Sequence, residues 1–425
     1  MQPVADLSLP YLAMEDASFA QDPVSRFAAA RAQHPWLARS AFGYVLTQYA
    51  AIKDLLGLDD KLRVAHEGMI ELMNAKGSKW GAFQLGSILG ISGEPHKRIR
   101  AVIAPMFTPR AADRRRSLMR QVLSRLLDEW APKAKFDFEE FASYYPVAVI
   151  CGLIGAKADV VPLLRSSLET LGLSFNLIPN FLPKLEQAVE AMEEFVTQLV
   201  ADRRHGERPS EEPDLLDAMI AATDSGGISA AEMNNLLIFL FAAGYDTSKN
   251  VMTMIMHELI RRPELYVQCA DDIAYCRKVV EEGLRYQNPG TIPRLLNEDL
   301  SYRDVLFPKD TMLFFALSMA GRDPSAVSNP EDFNPERRHD NRNRQMAFGR
   351  GMHVCLGQYI ARAQMEEGLH LIAQRLANPK LAGKFGYRPF PGVWGLKGLP
   401  IEFTPAPLRP GTLAVMENAK AASYR

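Results

Sequence analysis

The chain has 425 residues, 47% of them hydrophobic and 23% charged, a balance that excludes disordered and fibrous classes. Lysine and arginine number 49 against 50 acidic residues, so the formal charge is −1 and no global basic field exists to hold a nucleic acid. Four cysteines, at 151, 269, 276 and 355, are too few and too irregular for a disulfide framework or a Cys-rich zinc site, so any that has a function acts singly.

Residues 1–27 scatter Asp6, Glu15, Asp16 and Asp22 through their length, which predicts neither a signal peptide nor a membrane anchor and favours a cytoplasmic protein. A strand-like segment covers residues 44–47. Gly93-Glu-Pro95 then opens a helix with proline in its first turn, and His96 and Arg100, four apart, share a face that could bind two carboxylates. A solvated basic face is the commoner meaning of such a run. Apolar residues at three-to-four spacing predict helices over 111–130, 185–203 and 212–222. The longest apolar stretches, 144–156 and 236–245, fall short of the roughly 20 residues that span a bilayer.

Ser229-Ala-Ala-Glu232 is a capping box, and the helical pattern it opens runs to residue 262, roughly 50 Å at 1.5 Å per residue. A helix of that length must cross the whole domain. In its middle, Ala242-Ala243-Gly244-Tyr245-Asp246-Thr247 sets small residues where a flat cofactor could approach, followed by an acid and an alcohol where helical hydrogen bonding can be locally broken. Further helical pattern covers 263–286, where Glu282 and Arg285 lie one turn apart on one face, a spacing that by itself usually marks a surface pair.

After residue 290 short strands are predicted at 299–302, 311–316 and 400–403, and a last helix at 356–376. Residues 321–355 carry Gly321, Pro324, Pro330, Pro335, Gly349 and Gly351 and few helix formers, and an ordered loop of that length usually serves a function. No linker or repeat divides the chain. The reading is one domain, 1–425, mainly α with a minor β portion.

The loop ends in Phe348-Gly-Arg-Gly351-Met-His353-Val-Cys355-Leu-Gly357. This predicts Cys355 at a helix amino terminus, where unpaired N–H groups and the positive dipole end favour a thiolate. An unselected cysteine is more often a buried structural residue. From this chain's own composition, the spaced pattern of Phe348, Gly351, Cys355 and Gly357 should arise by chance in roughly one such chain in a thousand.

On these residues the chain resembles the cytochrome P-450 superfamily, matching its haem-thiolate loop at Phe348, Gly351, His353, Cys355 and Gly357. The resemblance implies a long central helix across a buried haem b, iron protoporphyrin IX, with Cys355 as the metal ligand. It implies a proton relay by Asp246 and Thr247 beside Ala243 and Gly244, and makes His96, Arg100, Arg294 and His353 the donors to the haem propionates. Glu282 and Arg285 become a buried structural pair joined by Arg337 from Asp332-Phe-Asn-Pro-Glu-Arg337. Gly321 and Gln364 depart from residues frequent in the family, at positions expected to lie away from the chemistry.

The pocket implied by the family maps to Trp80, Phe83, Leu85, Phe175, Phe181, Phe239, Ala243, Thr291, Ile292, Val393 and Trp394, which predicts a small hydrophobic substrate. The expected reaction inserts one atom of dioxygen, with no part for nucleic acid or membrane. No cysteine cluster supplies an iron–sulfur centre, so electrons are expected from an acidic ferredoxin-type donor docking on Lys97, Arg98, Arg110, Arg114, Arg115, Arg116, Arg342 and Arg344. A peroxide-driven haem enzyme and a non-catalytic haem sensor are the alternatives.

Overall fold

Ser229 opens a helix, Ala230–Ile260, whose first turn is held reciprocally: the Glu232 N–H donates to the Ser229 hydroxyl at 3.2 Å, and the Ser229 N–H to the Glu232 carboxylate at 2.7 Å. In this computed structural model, which describes residues 1–206, 213–338 and 345–412, the 31-residue helix runs about 46 Å through the centre of the protein. The helix Phe138–Ile154 packs along it, started by the Asp137 side chain, which accepts the Glu139 N–H at 2.9 Å. Periodicity missed this neighbour because it is buried on almost every side, and a helix without a polar face has no amphipathic signal.

Two predicted helices are each two. Residues 111–130 divide into Pro109–Arg114 and Arg116–Trp130, and residues 263–286 into Pro263–Asp271 and Ile273–Tyr286. In the second case the Asp272 side chain accepts the Ala274 N–H at 2.8 Å and so caps a new helix. The other predicted helices become Leu182–Arg204, Leu215–Asp224 and Gln358–Arg375.

The principal sheet has five strands in the order Leu37–Ser40, Gly43–Leu46, Met312–Phe315, Ile292–Leu296 and Leu62–Val64. Gly43–Leu46 and Met312–Phe315 pair in parallel, and the other pairings are antiparallel. The register sets Arg294 between Val64 and Leu313. The predicted strand at 400–403 is Pro400–Pro405, which pairs with Leu376–Leu381 and Lys135–Asp137. One apolar cluster fills the space among the helices, and a second, with Trp36, Leu46, Phe307 and Phe315, underlies the sheet. Among the described residues no helix is long and apolar enough to cross a membrane.

Candidate active site

The glycine-rich loop before Gln358–Arg375 is folded by its own backbone. The Cys355 N–H donates to the Phe348 carbonyl at 2.9 Å, and the Val354 N–H to that of Gly351 at 3.1 Å. Gly351 has φ +74°, a left-handed conformation costly for other residues, and a Cβ there would overlap the Asp59 carboxylate, which accepts the Met352 N–H at 2.8 Å. The Arg362 guanidinium lies 4.4 Å over the Phe348 ring.

Cys355 stands two residues ahead of Gly357, the N-cap residue, so the helix begins two residues later than the predicted 356. The Gly357 N–H still reaches the sulfur, and with Arg100 and Arg362 it favours the thiolate, but burial outweighs them and raises the thiol above its ordinary value. A cation at the sulfur would reverse that balance.

A cavity of about 390 Å³ lies between this loop and the central helix, with Cys355 and Phe348 on one wall and Ala243 and Thr247 on the other. Ala243 and Thr247, one turn apart, are exposed to it. The helix is continuous here, contrary to the expected local break, and the Thr247 hydroxyl donates to the Ala243 carbonyl at 3.2 Å. Gly244 has a second role besides the one expected: a Cβ on it would press on the Ile150 side chain of the neighbouring helix at 2.5 Å. Its absence of side chain lets two helices close together, while both Ala243 and Gly244 line the cavity.

Asp246 is buried in a charged network. Its carboxylate lies 3.0 Å from Arg388 and 3.4 Å from Lys249. Those two cations also hold Glu169, at 2.7 and 2.9 Å, and Lys249 reaches Glu139 at 2.7 Å. Burial raises the Asp246 carboxyl, against the pull of Arg388 and Lys249. Burial acts the same way on Glu169, yet Lys249 and Arg388 outweigh it and hold that group at about 2.

At one end of the cavity four cationic or imidazole side chains converge. The His96 and His353 rings are 4.5 Å apart, and both His96 nitrogens and His353 Nδ1 are buried without hydrogen-bond partners among the described residues. Arg100 donates to the Val354 carbonyl at 2.7 Å and Arg294 to its neighbour Pro293 at 2.9 Å, and burial pulls the Arg294 guanidinium down to about 10. Among the described residues Asp59 is the acid whose field reaches Arg294 and His96. Two carboxylates on a flat ligand would supply what the cluster wants, so the residues present fit a haem bearing two propionates and facing a thiolate.

The sequence matches the family described as Cytochrome P450 over residues 72–377. The chain belongs to that family. The luteothin monooxygenase of Streptomyces thioluteus is 28% identical over 400 residues, covering 93% of this chain and 96% of that protein. The epothilone C/D epoxidase of Sorangium cellulosum is 28% identical over 366 residues, 81% and 84% of the two chains. The crystal structure of CalO2 shares the fold with a TM-score of 0.83 at 23% identity, over 94% of this chain and all of that one. The mainly helical fold with small sheets is thus the P450 fold, and the protein is a haem-dependent monooxygenase.

In this P450 the Glu282–Arg285 pair is completely buried, with two N–H···O contacts of 2.8 and 2.7 Å, and Arg337 approaches Glu282 at 3.4 Å. Arg285 also donates to the Gly321, Pro330 and Asp332 carbonyls at 2.7–2.9 Å, so one helix residue fixes the loop that leads to Cys355. Gly321 is required by this knot, since a Cβ there would overlap the Arg285 carbonyl oxygen. Gln364, expected away from the chemistry, is in the cavity wall.

Of the residues the resemblance implied for the P450 pocket, four do not line it. Phe83, Phe175, Phe239, Thr291, Ile292 and Val393 line it, with Ala243. Trp80 does not: its indole N–H donates to the Ser174 hydroxyl at 3.1 Å in the core. Leu85 lies on the outer side of the helix Lys79–Gly86, 46% exposed, and Phe181 sits half-buried in the turn Pro179–Phe181. Trp394 points away from Val393, its neighbour in an extended segment, and donates to the Ala20 carbonyl at 2.9 Å. Sequence reasoning also missed Lys249, Arg388, Glu169 and Glu139. Lys249 was readable, one turn beyond Asp246, but nothing in the sequence connects Arg388 with residue 246.

Proposed function

We propose that this P450 inserts one atom of dioxygen into a small hydrophobic substrate, using haem b held by the Cys355 thiolate and electrons from an external acidic ferredoxin-type protein. The observation that carries the reading is the cavity that has Cys355 on one wall, Ala243 and Thr247 on the other, and at one end imidazole nitrogens without hydrogen-bond partners among the described residues beside Arg100 and Arg294. The names of the relatives, a monooxygenase and an epoxidase, support insertion of a single oxygen atom. When bound, the haem would supply activation of dioxygen, and the Cys355 thiolate would hold its iron.

The protein's part is binding, orientation and proton handling. Arg100 and Arg294 would pair with the propionates, and His96 and His353 would donate hydrogen bonds to them. Apolar side chains such as Phe83, Phe175 and Phe239 hold the substrate and exclude water. The Thr247 hydroxyl and the Asp246 carboxyl hold and pass protons at the cavity face of the central helix, a provision that a peroxide-driven enzyme or a sensor does not need.

For the donor, Arg110 and Arg114 are exposed and Arg115 half-buried, on a segment tied to the helix behind Cys355 through Arg116, which pairs with Glu366 at 2.6 Å and Glu367 at 3.2 Å. Lys97 and Arg98 are spent on Glu94 and Glu232, each at 2.6 Å. Arg342 and Arg344 lie outside the described residues. A single domain working in the cytoplasm fits this scheme.

The reduced carbon monoxide complex should have the strongly red-shifted Soret band that ligation by the Cys355 thiolate would give, and Cys355→Ser should lose it. An unshifted band in haem-loaded wild type would overturn the assignment of Cys355.

A further inference from the structure

His66 begins the helix His66–Leu72, directly after the edge strand Leu62–Val64, and forms part of the cavity wall. Its residue is 2% exposed. Nδ1 lies 2.7 Å from the Gln84 carbonyl oxygen, and because a carbonyl only accepts, Nδ1 carries the proton. The neighbouring loop is built around this contact. The Ser87 hydroxyl donates to the same carbonyl at 3.0 Å, and Gly90 donates its N–H to the Ser87 carbonyl at 2.8 Å. A Cβ on Gly90 would overlap the Gln84 carbonyl and stand 3.0 Å from His66 Nδ1, so only glycine lets the loop close this tightly.

The other nitrogen, Nε2, is buried and has no hydrogen-bond partner among the described residues. Burial, reinforced by the nearby Arg294, holds the imidazole down at about 4, so at neutral pH the ring is neutral and Nε2 offers a lone pair. What distinguishes it from His96 and His353 is the Gln84 contact, which commits Nδ1 as the donor and leaves Nε2 as the acceptor, whereas both His96 nitrogens and His353 Nδ1 are uncommitted among the described residues. A carboxylate is itself an acceptor and gains nothing from a lone pair, whereas a hydroxyl or an N–H group does. In a wall otherwise dominated by side chains such as Phe83 and Phe175, whose ring is 6.3 Å from that of His66, an unmet acceptor is costly until something donates to it.

We propose that His66 Nε2 accepts a hydrogen bond from the substrate, which makes His66 a specificity-determining residue and the substrate class a hydrophobic molecule carrying a hydroxyl or N–H donor. The inference rests on the haem-monooxygenase reading of the same cavity. Preference for such a donor arises because a substrate without it leaves the buried nitrogen unpaired.

The test uses the haem-loaded protein and two series of iron-ligating probes, 1-(ω-hydroxyalkyl)imidazoles and the matching 1-(ω-methoxyalkyl)imidazoles, titrated by the red shift of the Soret band. At one chain length the hydroxyl should reach His66, and there the ratio of methoxy to hydroxyl dissociation constants should be about 5- to 10-fold higher in wild type than in His66→Asn. Asparagine keeps an amide N–H for the Gln84 carbonyl but has no acceptor at the Nε2 position, and His66→Gln, which restores an acceptor there, should recover the preference. The same ratio in wild type and His66→Asn at every length overturns the inference. So does a wild-type series without a maximum at any chain length, which keeps the test decisive if the variants fail to fold. No red shift with any imidazole would instead overturn the haem-thiolate reading, and the inference with it.

Discussion

Arg388 and Asp246, 142 residues apart in the chain, meet at 3.0 Å inside the protein, and the same guanidinium reaches Glu169 at 2.7 Å. Asp246 therefore sits one residue from the cavity-facing Thr247 yet is shared between two buried cations, Arg388 and Lys249. Removing one partner of a buried pair leaves charge without compensation. Arg388→Met should cost about 3 kcal/mol in denaturant unfolding, and the double variant with Asp246→Asn should cost less than the sum of the single changes by about 1 kcal/mol or more. Additive losses would mean that the two residues are not energetically coupled.

Thr247→Ala should leave the thiolate spectrum and substrate binding intact while electrons are diverted to hydrogen peroxide. The reason is that its hydroxyl lies at the cavity face and, among the described residues, hydrogen-bonds to the Ala243 carbonyl in its own helix, so little structure depends on it. Asp246→Asn should slow turnover and enlarge the solvent isotope effect. Undiminished product per electron in Thr247→Ala would remove this residue from the relay.

Charge reversal should separate the exposed cations from the paired ones. Reduction by an acidic ferredoxin should slow with rising salt, since surface charges are screened over about 10 Å at 0.1 M. Arg110→Glu and Arg114→Glu should reduce the rate several-fold at low salt, and Lys97→Glu less, because Lys97 is already paired with Glu94. Stopped-flow reduction indifferent to salt and to both arginine changes would place the docking face elsewhere.

Two glycines should respond differently to alanine. At Gly321 the new Cβ meets the Arg285 backbone carbonyl, which cannot move without disturbing the Glu282 knot, whereas at Gly244 it meets the end of the Ile150 side chain, which can rotate. Unfolding measurements should give a loss of about 2–3 kcal/mol for Gly321→Ala and about 1 kcal/mol for Gly244→Ala. A greater loss at Gly244 would mean that the helix pair there is the more rigid contact.

Glu258 supplies a pH signature. Burial alone would raise its carboxyl, but hydrogen bonding to His257 and Arg262 outweighs burial and holds it at about 2, against 4.5 for an ordinary glutamate. The folded value is the lower one, so the stabilisation is complete above pH 4.5 and is lost as pH falls toward 2, about 3 kcal/mol in all. Glu258→Gln should flatten the stability profile over that window, measured by denaturant unfolding at stepped pH. Parallel profiles for the two proteins would assign the acid lability to other carboxylates.

Local chemistry made a good part of this protein legible in its sequence. The Ser229 box and the long helix after it, the acid and base one turn apart at 282 and 285, and the glycine-flanked Cys355 all express contacts within a few residues, where spacing alone dictates which groups can meet. Periodicity failed where an element is buried all round, as in Phe138–Ile154, because a pattern needs a wet side to contrast with a dry one. What only the tertiary structure decided was the partnering of distant segments: Arg388 with Asp246, Gly244 against Ile150, Trp80 turned to Ser174, His66 to Gln84. Those meetings depend on how helices and loops far apart in sequence pack to fill a common core, and each is selected by a hydrogen bond or a volume that the other segment supplies.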